Sequence, residues 1–245
     1  SIMVTRSRSQ NSKLVERIMD LGGNPIEIPT IKIEKVQDNK ELENEIKNLK
    51  DYTYLVLTSK NGVDIFFDKL DEMGLDCRAL ANIKVCSIGA ATSKAIIRRG
   101  IKPDIQPEKA VGESLYDELK DIVSKEDKIL IPRAKNAREF LVKKLNEISN
   151  VTEVITYESV MDDSKKEEAI NALEEGNLDY ITFASSSTVT NFINLIGEEN
   201  KDKLSNTKII SIGKITTKTI LDNGLEVYKE SEKASIESMI EAMSE

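Results

Sequence analysis

The chain has 245 residues, 39% of them hydrophobic and 32% charged, and its net charge is −8 at pH 7. This composition is typical of one large or two ordinary globular domains, and the negative charge disfavours a basic surface for nucleic acid. Histidine is absent, which excludes Ser-His and Cys-His nucleophile pairs and disfavours a zinc site.

Location is indicated by what the sequence lacks. No apolar run approaches the roughly 18 residues of a membrane span, and the first residues show no signal-peptide layout. Cys77 and Cys86 do not have the spacing of metal ligands. We interpret them as buried or half-buried thiols of a protein in a reducing compartment. We therefore expect a cytoplasmic protein that binds neither membrane nor nucleic acid.

Short apolar runs alternate with amphipathic stretches along the chain. The runs predict strands at 2–5, 54–58, 84–88, 128–132, 180–184 and 208–212. Helical spacing follows them in "SKLVERIMDLGG", "GESLYDELKDIVS" and "AREFLVKKLNEI", the first with Leu14, Ile18 and Leu21 on one face. Strands that alternate with helices predict an α/β fold with parallel sheets.

The chain also repeats itself. "SIGAATSKAIIRRG" from Ser87 matches "SIGKITTKTILDNG" from Ser211 at Ser, Ile, Gly, Thr, Lys, Ile and the last Gly, an offset of 211 − 87 = 124. The stretches from Tyr54 and Tyr180 are also similar, with an offset of 180 − 54 = 126. The repeat predicts two similar α/β units, and a ligand site at the carboxyl ends of their strands, in a cleft between domains.

Each Ser-Ile-Gly turn is expected to lead from a strand into a helix. Gly89 and Gly213 would allow a tight turn, and Thr92 and Thr216 would fall in the first helical turn, among free N–H groups that favour an anion. Helix capping by these hydroxyls is an equally good interpretation. The hydroxyl-rich clusters at 58–62 and 184–188 have the same two interpretations. Neither has the glycine spacing of a nucleotide site.

Several short motifs, taken in order, resemble the uroporphyrinogen-III synthase family over essentially the whole chain. They are "VTRS" at 4–7, "TSKNGV" at 58–63, "SIGAAT" at 87–92, "ITY" at 155–157, "FASSS" at 183–187 and "SIGKIT" at 211–216. The serine run at 185–187 departs from the Thr-Ser pair that is common in the family.

The resemblance implies two flavodoxin-like, doubly wound domains joined by a pair of strands. It places residues 1–33 and 162–245 in one domain, 37–153 in the other, and 28–36 and 154–162 in the connecting strands. We expect a monomer without cofactor or metal. We also expect a transient contact with the preceding enzyme of the pathway, which produces the substrate of this family.

The resemblance further implies a reaction. The family converts hydroxymethylbilane, an open tetrapyrrole with eight carboxylates, to uroporphyrinogen III by losing water and inverting the last pyrrole ring. Tyr157 matches the tyrosine thought to help the hydroxyl leave, and a phenol is an ordinary donor at neutral pH. The implied substrate-binding residues are Thr58, Ser59, Lys60, Asn61, Gly89, Thr92, Arg138, Ser185, Ser186, Lys208, Gly213 and Thr216.

Two other functions share this sequence pattern. The chain could be a two-lobed binding module for a small polyanionic ligand, or a synthase-like domain kept as a regulatory partner. A regulatory domain could dispense with Tyr157, which this chain retains. Assay of the cyclised product separates both alternatives from the enzyme.

Overall fold

Two five-stranded sheets with mainly parallel strands form the framework of the computed structural model. The backbone is described for residues 1–6 and 8–244, and the side chains for 1–6 and 13–244, so that Ser7 of the "VTRS" motif lies outside the described residues. The chain divides into two units: Ser1–Lys32 with Val160–Glu245, and Ile33–Ser159. They are called here the terminal unit and the central unit.

The terminal unit contains the first sheet. Its strands, in spatial order, are β2 (Pro25–Glu27), β1 (Ile2–Val4), β8 (Tyr180–Phe183), β9 (Lys208–Ser211) and β10 (Lys229–Glu230). Its helices are α1 (Arg8–Asp20), α7 (Lys166–Glu174), α8 (Ser186–Ile196), α9 (Lys214–Asp222) and α10 (Ile236–Ser244). Numbered within this unit, the strands run 2-1-3-4-5, which is the flavodoxin-like order.

The central unit repeats this plan in permuted form. Its strands, in spatial order, are β3 (Ile31–Lys35), β7 (Asn150–Met161), β6 (Lys128–Ala134), β4 (Tyr54–Leu57) and β5 (Lys84–Ser87). Its helices are α2 (Lys40–Lys47), α3 (Lys60–Glu72), α4 (Ala90–Arg98), α5 (Gly112–Leu119) and α6 (Phe140–Ile148). A bridge from Cys86 to Ile105 takes the place of a further edge strand.

The predicted α/β fold is confirmed, and all six predicted strands are present as β1, β4, β5, β6, β8 and β9. The stretches 28–36 and 154–162 overlap β3 and β7, which are neighbours in one sheet, and β7 already begins at Asn150. Their role as connecting strands stays a prediction. The prediction for Leu21 is wrong: α1 ends at Asp20, so Leu21 is exposed, whereas Leu14 and Ile18 are buried.

Both faces of each sheet are covered by apolar side chains. In β4, Leu55 and Leu57 pack in one hydrophobic cluster, and Tyr54 and Val56 pack in another. Since successive side chains of a strand point to opposite faces, these clusters lie on the two sides of the sheet. Central strands therefore appear in the sequence as continuous apolar runs. No helix in the part of the chain described is long and apolar enough to cross a membrane.

One buried thiol makes stability depend on pH. Burial, with a smaller contribution from Asp104, raises the pKa of Cys86 from 9.0 to about 12. Above pH 9 the unfolded chain loses this proton while the folded chain keeps it, so stability falls as pH rises. We expect Cys86 to lower the free energy of unfolding by about 1.4 kcal/mol per pH unit between its unfolded and folded pKa values.

Urea unfolding of Cys86→Val at several pH values, compared with the parent chain, measures this contribution. The variant should show a shallower decline in stability above pH 9. Cys77→Ala is the control for thiol removal, because Cys77 is only half-buried. Identical slopes for the parent chain and Cys86→Val would contradict the prediction.

Candidate active site

Among the described residues, four strand-to-helix turns carry the hydroxyl-rich clusters and the Ser-Ile-Gly motifs, two in each unit. In the central unit β4 leads into α3 and β5 into α4. In the terminal unit β8 leads into α8 and β9 into α9. Neighbouring parallel strands place their carboxyl ends on one edge of a sheet, so the two turns of each unit are adjacent.

Serine side chains cap two of these helices. Ser59 Oγ accepts a hydrogen bond of 2.9 Å from the N–H of Gly62 at the start of α3. Ser185 Oγ accepts one of 3.3 Å from the N–H of Thr188, which completes a capping box in α8. For these two clusters, capping is therefore observed, and some of the N–H groups that could bind an anion already have acceptors.

The Ser-Ile-Gly turns differ, because the N-cap residues of α4 and α9 are glycines, Gly89 and Gly213. Neither glycine can supply a side-chain acceptor, and neither helix has a side-chain cap from its N-cap residue. The first N–H groups of an α-helix have no partner inside the helix, and the helix dipole adds positive charge there. These two starts are consequently better suited than the serine-capped ones to receive a carboxylate.

Thr92 and Thr216 occupy the third position of these helices, and each side chain is only 4% exposed. Both threonines are thus largely buried within the folded chain. A ligand at these turns would meet chiefly the backbone N–H groups. The buried threonines would then serve to shape the turn.

The two glycines have different surroundings. Their φ angles, 176° and 166°, are extended and accessible to any residue. A Cβ at Gly89 would lie 2.5 Å from the Cβ of Ala110, so packing demands glycine there. A Cβ at Gly213 would have no neighbour within 4 Å among the described residues. Packing within the described part of the chain does not explain Gly213.

The phenol of Tyr157 reaches the serine-capped turn of the central unit. Its hydroxyl lies 2.8 Å from Ser59 Oγ, and the side chain is 5% exposed. A shift in register between β6 and β7 occurs here: Arg133 is opposite Ile155, whereas Ala134 is opposite Tyr157. Bulges of this kind redirect a side chain and are common beside active sites. The link between Tyr157 and Ser59 could not be read from the sequence.

A small pocket of about 170 Å³ lies at this same strand end and contains two guanidinium groups. It is lined by Thr58, Arg133 and Arg138, among apolar residues. Arg133 is 4% exposed, and it donates to Glu153 at 2.7 Å and to the carbonyl oxygens of Ala134 and Ala137. Sequence reasoning missed Arg133, because an arginine within an apolar strand gives no sign of where its side chain lies.

Arg138 already has a carboxylate partner. It is exposed and donates two hydrogen bonds, of 3.1 and 3.0 Å, to Glu113. The backbone N–H of Glu113, together with Arg138, lowers the pKa of that carboxyl group. Lys60 is similarly exposed and pairs with Asp64 one helical turn away, while Asn61 is half-buried beside it. Substrate carboxylates would have to compete with these existing ion pairs.

Lys208 lies away from the implied residues of its own unit. It is the first residue of β9, at the edge of the sheet opposite to Gly213, and its Nζ lies 5.3 and 4.6 Å from the ring centroids of Tyr180 and Tyr228. Four residues of a strand span about 13 Å, a separation that the motifs alone do not reveal. The structure therefore does not bring Lys208 together with the glycine-capped turn.

The remaining implied residues lie at the terminal unit's strand ends. Ser186 Oγ donates to the carbonyl oxygen of Ile215 at 3.3 Å, which links the α8 turn to the α9 turn. Arg6, which the sequence interpretation did not select, follows β1 in the same sheet, and burial lowers its pKa. The "VTRS" motif was the signal that could have identified Arg6.

Metal ligands do not converge in the described part of the chain. No group of three His, Cys, Asp or Glu side chains in residues 1–6 and 8–244 could hold a metal ion. The chemistry of the strand ends rests on hydroxyl, phenol, guanidinium and backbone N–H groups.

Comparison with known proteins assigns the family. The family model described as uroporphyrinogen-III synthase HemD matches residues 12–241, which is most of the chain. The chain belongs to the uroporphyrinogen-III synthase family. The resemblance expected from the motifs is confirmed.

Individual relatives of this synthase family agree. The chain is 33% identical to a porphyrin biosynthesis protein HemD of Ruminiclostridium josui, with 100% of the chain covered and 48% of the relative, so it spans about half that relative's length. It is 30% identical to a putative uroporphyrinogen-III synthase of Methanocaldococcus jannaschii, with 89% and 88% covered.

Solved synthase structures share the fold. A mutant uroporphyrinogen III synthase of the extremely thermophilic bacterium Thermus thermophilus matches with a TM-score of 0.64 at 18% identity, covering 99% of this chain and 96% of that one. The enzyme of Helicobacter pylori matches with a TM-score of 0.63 at 19% identity, covering 98% and 96%. At these identities the likeness supports the two-sheet α/β fold alone.

Proposed function

We propose that the chain is an enzyme that cyclises hydroxymethylbilane to uroporphyrinogen III. The observation that carries the proposal is the family match over residues 12–241. The strand ends support it with chemistry suited to a polyanion: two helix starts without a side-chain cap, and the exposed guanidinium group of Arg138, which would exchange Glu113 for a substrate carboxylate.

The charges of protein and substrate make local donors necessary. The chain carries a net charge of −8 at pH 7, so its long-range field does not attract a substrate with eight carboxylates. Short-range hydrogen bonds must supply the binding free energy. Backbone N–H groups at a helix start meet this need, because they donate in fixed directions and require no ionised side chain.

The proposed reaction begins with cleavage of a C–O bond. The terminal hydroxyl leaves with the bonding electrons, takes a proton and becomes water, which leaves an azafulvenium cation. The substituted carbon of the last pyrrole attacks this cation to form a spiro intermediate. Fragmentation and closure at the other position, with loss of a proton, give the inverted ring. We assign proton donation to Tyr157, supported by its contact with Ser59.

Selectivity depends on how the substrate is held. Without an enzyme the bilane closes uninverted, to the type I isomer. Orientation is therefore the main task of the protein, and effects of this kind can supply several kcal/mol of the barrier. Thr58, Gly89, Gly213 and Ser186, all at strand ends, are the proposed contacts. Thr92 and Thr216 are proposed to shape the turns, and Lys208 is left out because it lies at the other end of β9.

The decisive experiment is incubation with freshly made hydroxymethylbilane and separation of the uroporphyrinogen isomers. We expect mainly the type III isomer, at a rate that EDTA leaves unchanged. The control is substrate without protein, which should give type I. Type I alone, at the uncatalysed rate, would reject the enzyme and favour a polyanion-binding or regulatory module.

We also propose that the protein acts as a monomer in the cytoplasm. Both cysteines of the described residues are free thiols, which suits a reducing compartment. Size-exclusion chromatography with light scattering tests the monomer: a mass of about twice 27.4 kDa would contradict it.

A further inference from the structure

A chain of hydrogen bonds holds the glycine-capped turn of the terminal unit. The N–H of Gly213 donates to Ser211 Oγ at 3.3 Å. Ser211 Oγ is 2.9 Å from Thr217 Oγ1, which donates to Glu230 Oε2 at 2.5 Å. Ser211 ends β9, Thr217 lies on α9 and Glu230 ends β10. Three elements are thus joined at the point where the turn begins.

The central unit contains the side-chain part of this arrangement with different residues. Ser87 Oγ lies 2.5 Å from Ser93 Oγ, and Ser93 Oγ donates to Gln106 Oε1. Each member lies 124 residues before its counterpart: 211 − 87, 217 − 93 and 230 − 106 are all equal to 124. The backbone agrees, because Ile105 bridges to Cys86 as Lys229 pairs with Ile210. The sequence repeat therefore extends to a small hydrogen-bonded network. Its serine members are buried, whereas Thr217 and Glu230 are half-buried and Gln106 is exposed.

The end residue fixes the direction of the hydrogen bonds. A carboxylate can only accept, so Thr217 must give its single hydroxyl proton to Glu230. Thr217 Oγ1 is then left as one acceptor for the single hydroxyl proton of Ser211, and the carbonyl oxygen of Gly213, 3.1 Å from Ser211 Oγ, is the other. In the central unit the amide oxygen of Gln106 occupies the same place. What the two units share is an acceptor, charged in one and neutral in the other.

We propose that Glu230 and Gln106 are positioning residues, which act through Thr217 and Ser93 to hold the Ser-Ile-Gly turns in the form that presents the first helical N–H groups to substrate carboxylates. The inference rests on the proposed function for its substrate. Ser87 and Ser211 are fully buried, so they support the turn from inside the protein and would not contact the substrate themselves. Each helix follows an N-cap glycine, which has no side chain, and the row of hydrogen bonds takes the place of a side-chain cap in fixing the turn.

Substitutions in the terminal unit test the proposal, with hydrogen exchange of residues 211–216 and isomer-resolved kinetics as readouts. Thr217→Val and Glu230→Leu each interrupt the row of hydrogen bonds, while the new side chain has about the size of the old one. We expect local exchange to rise about three- to tenfold, in line with the loss of one internal hydrogen bond. We expect kcat/KM to fall about tenfold, mainly through KM, with more type I product.

Two further variants separate positioning from general stability. Glu230→Gln installs the acceptor that the central unit uses, and should restore both exchange and KM to nearly the parent values. Thr207→Val is the matched control: it also deletes a half-buried, hydrogen-bonded threonine hydroxyl, but at the opposite edge of the same sheet. It should leave exchange at 211–216 and KM unchanged.

The outcomes are distinct. Parent-like exchange and KM in Glu230→Leu would overturn the proposal, and so would a Glu230→Gln variant that behaves like Glu230→Leu. If the parent chain makes no type III isomer, the proposed function fails. The exchange measurements then still decide whether the hydrogen-bond chain holds the turn.

Discussion

Replacing Gly213 with alanine is expected to leave the protein folded and to lower its rate of type III formation by about 10- to 100-fold. The φ angle of 166° is accessible to alanine, and the added Cβ would meet no described atom within 4 Å. The loss of activity would therefore come from the substrate, whose carboxylate could no longer approach the first N–H groups of α9. Isomer-resolved kinetics and a melting curve on the same sample measure both effects.

Gly89→Ala is the matched substitution in the other copy of the turn, and its main effect should be on stability. Its Cβ would lie 2.5 Å from that of Ala110, and overpacking of this kind costs about 1–3 kcal/mol. The double variant with Ala110→Gly removes this contact and should recover most of the stability. If Gly213→Ala keeps full activity, close approach of the substrate to this turn is wrong.

The strands that pack on both faces were the most predictable part of the fold. A strand such as β4 is buried along its whole length, so it appears in the sequence as an apolar run whose meaning does not depend on distant residues. The short edge strands β2 and β10 were not predicted. Lys229 and Glu230 form β10 only because β9 lies alongside, and nothing in the two residues themselves favours a strand.

The strand-end turns could be located from the sequence, but their chemistry could not. Ser59 and Ser185 are helix caps, as hydroxyl-rich clusters at a strand end often are. The difference between Gly89 and Gly213 depends on Ala110, which lies on a distant loop. The resemblance aligned residue types without saying at which end of β9 Lys208 lies, so its place at the start of that strand could not be read from the motif.

Tyr157→Phe is expected to slow turnover by about 100-fold or less, at the low end of what general acid catalysis supplies. The leaving hydroxyl is activated by an electron-rich pyrrole, so the substrate provides much of the driving force. The variant keeps the ring, which is 5% exposed, and loses one hydrogen bond to Ser59. That loss should cost about 1 kcal/mol of stability. Stopped assays at early times and urea unfolding measure the two effects.

The contact with Ser59 makes the acid role testable in more detail. Ser59 Oγ already accepts from the N–H of Gly62. If Ser59 gives its own proton to the phenol oxygen, the phenol proton is free for the leaving hydroxyl, and the α3 start stabilises the charge that develops on Tyr157. If the phenol donates to Ser59 instead, its only proton is engaged, and Tyr157 would be a structural residue.

Ser59→Ala, Tyr157→Phe and the double variant form a cycle that distinguishes these two arrangements. In the first arrangement Ser59→Ala slows turnover, and the double variant is little slower than Tyr157→Phe, because the serine acts only through the phenol. Ser59→Thr, which keeps a capping hydroxyl, is the control and should remain active. Full turnover by Tyr157→Phe would instead mean that the Tyr157 hydroxyl stabilises the fold and does not take part in catalysis. Holding the substrate at the glycine-capped turns would then have to provide nearly all of the rate enhancement, and Gly213→Ala would become the more damaging substitution.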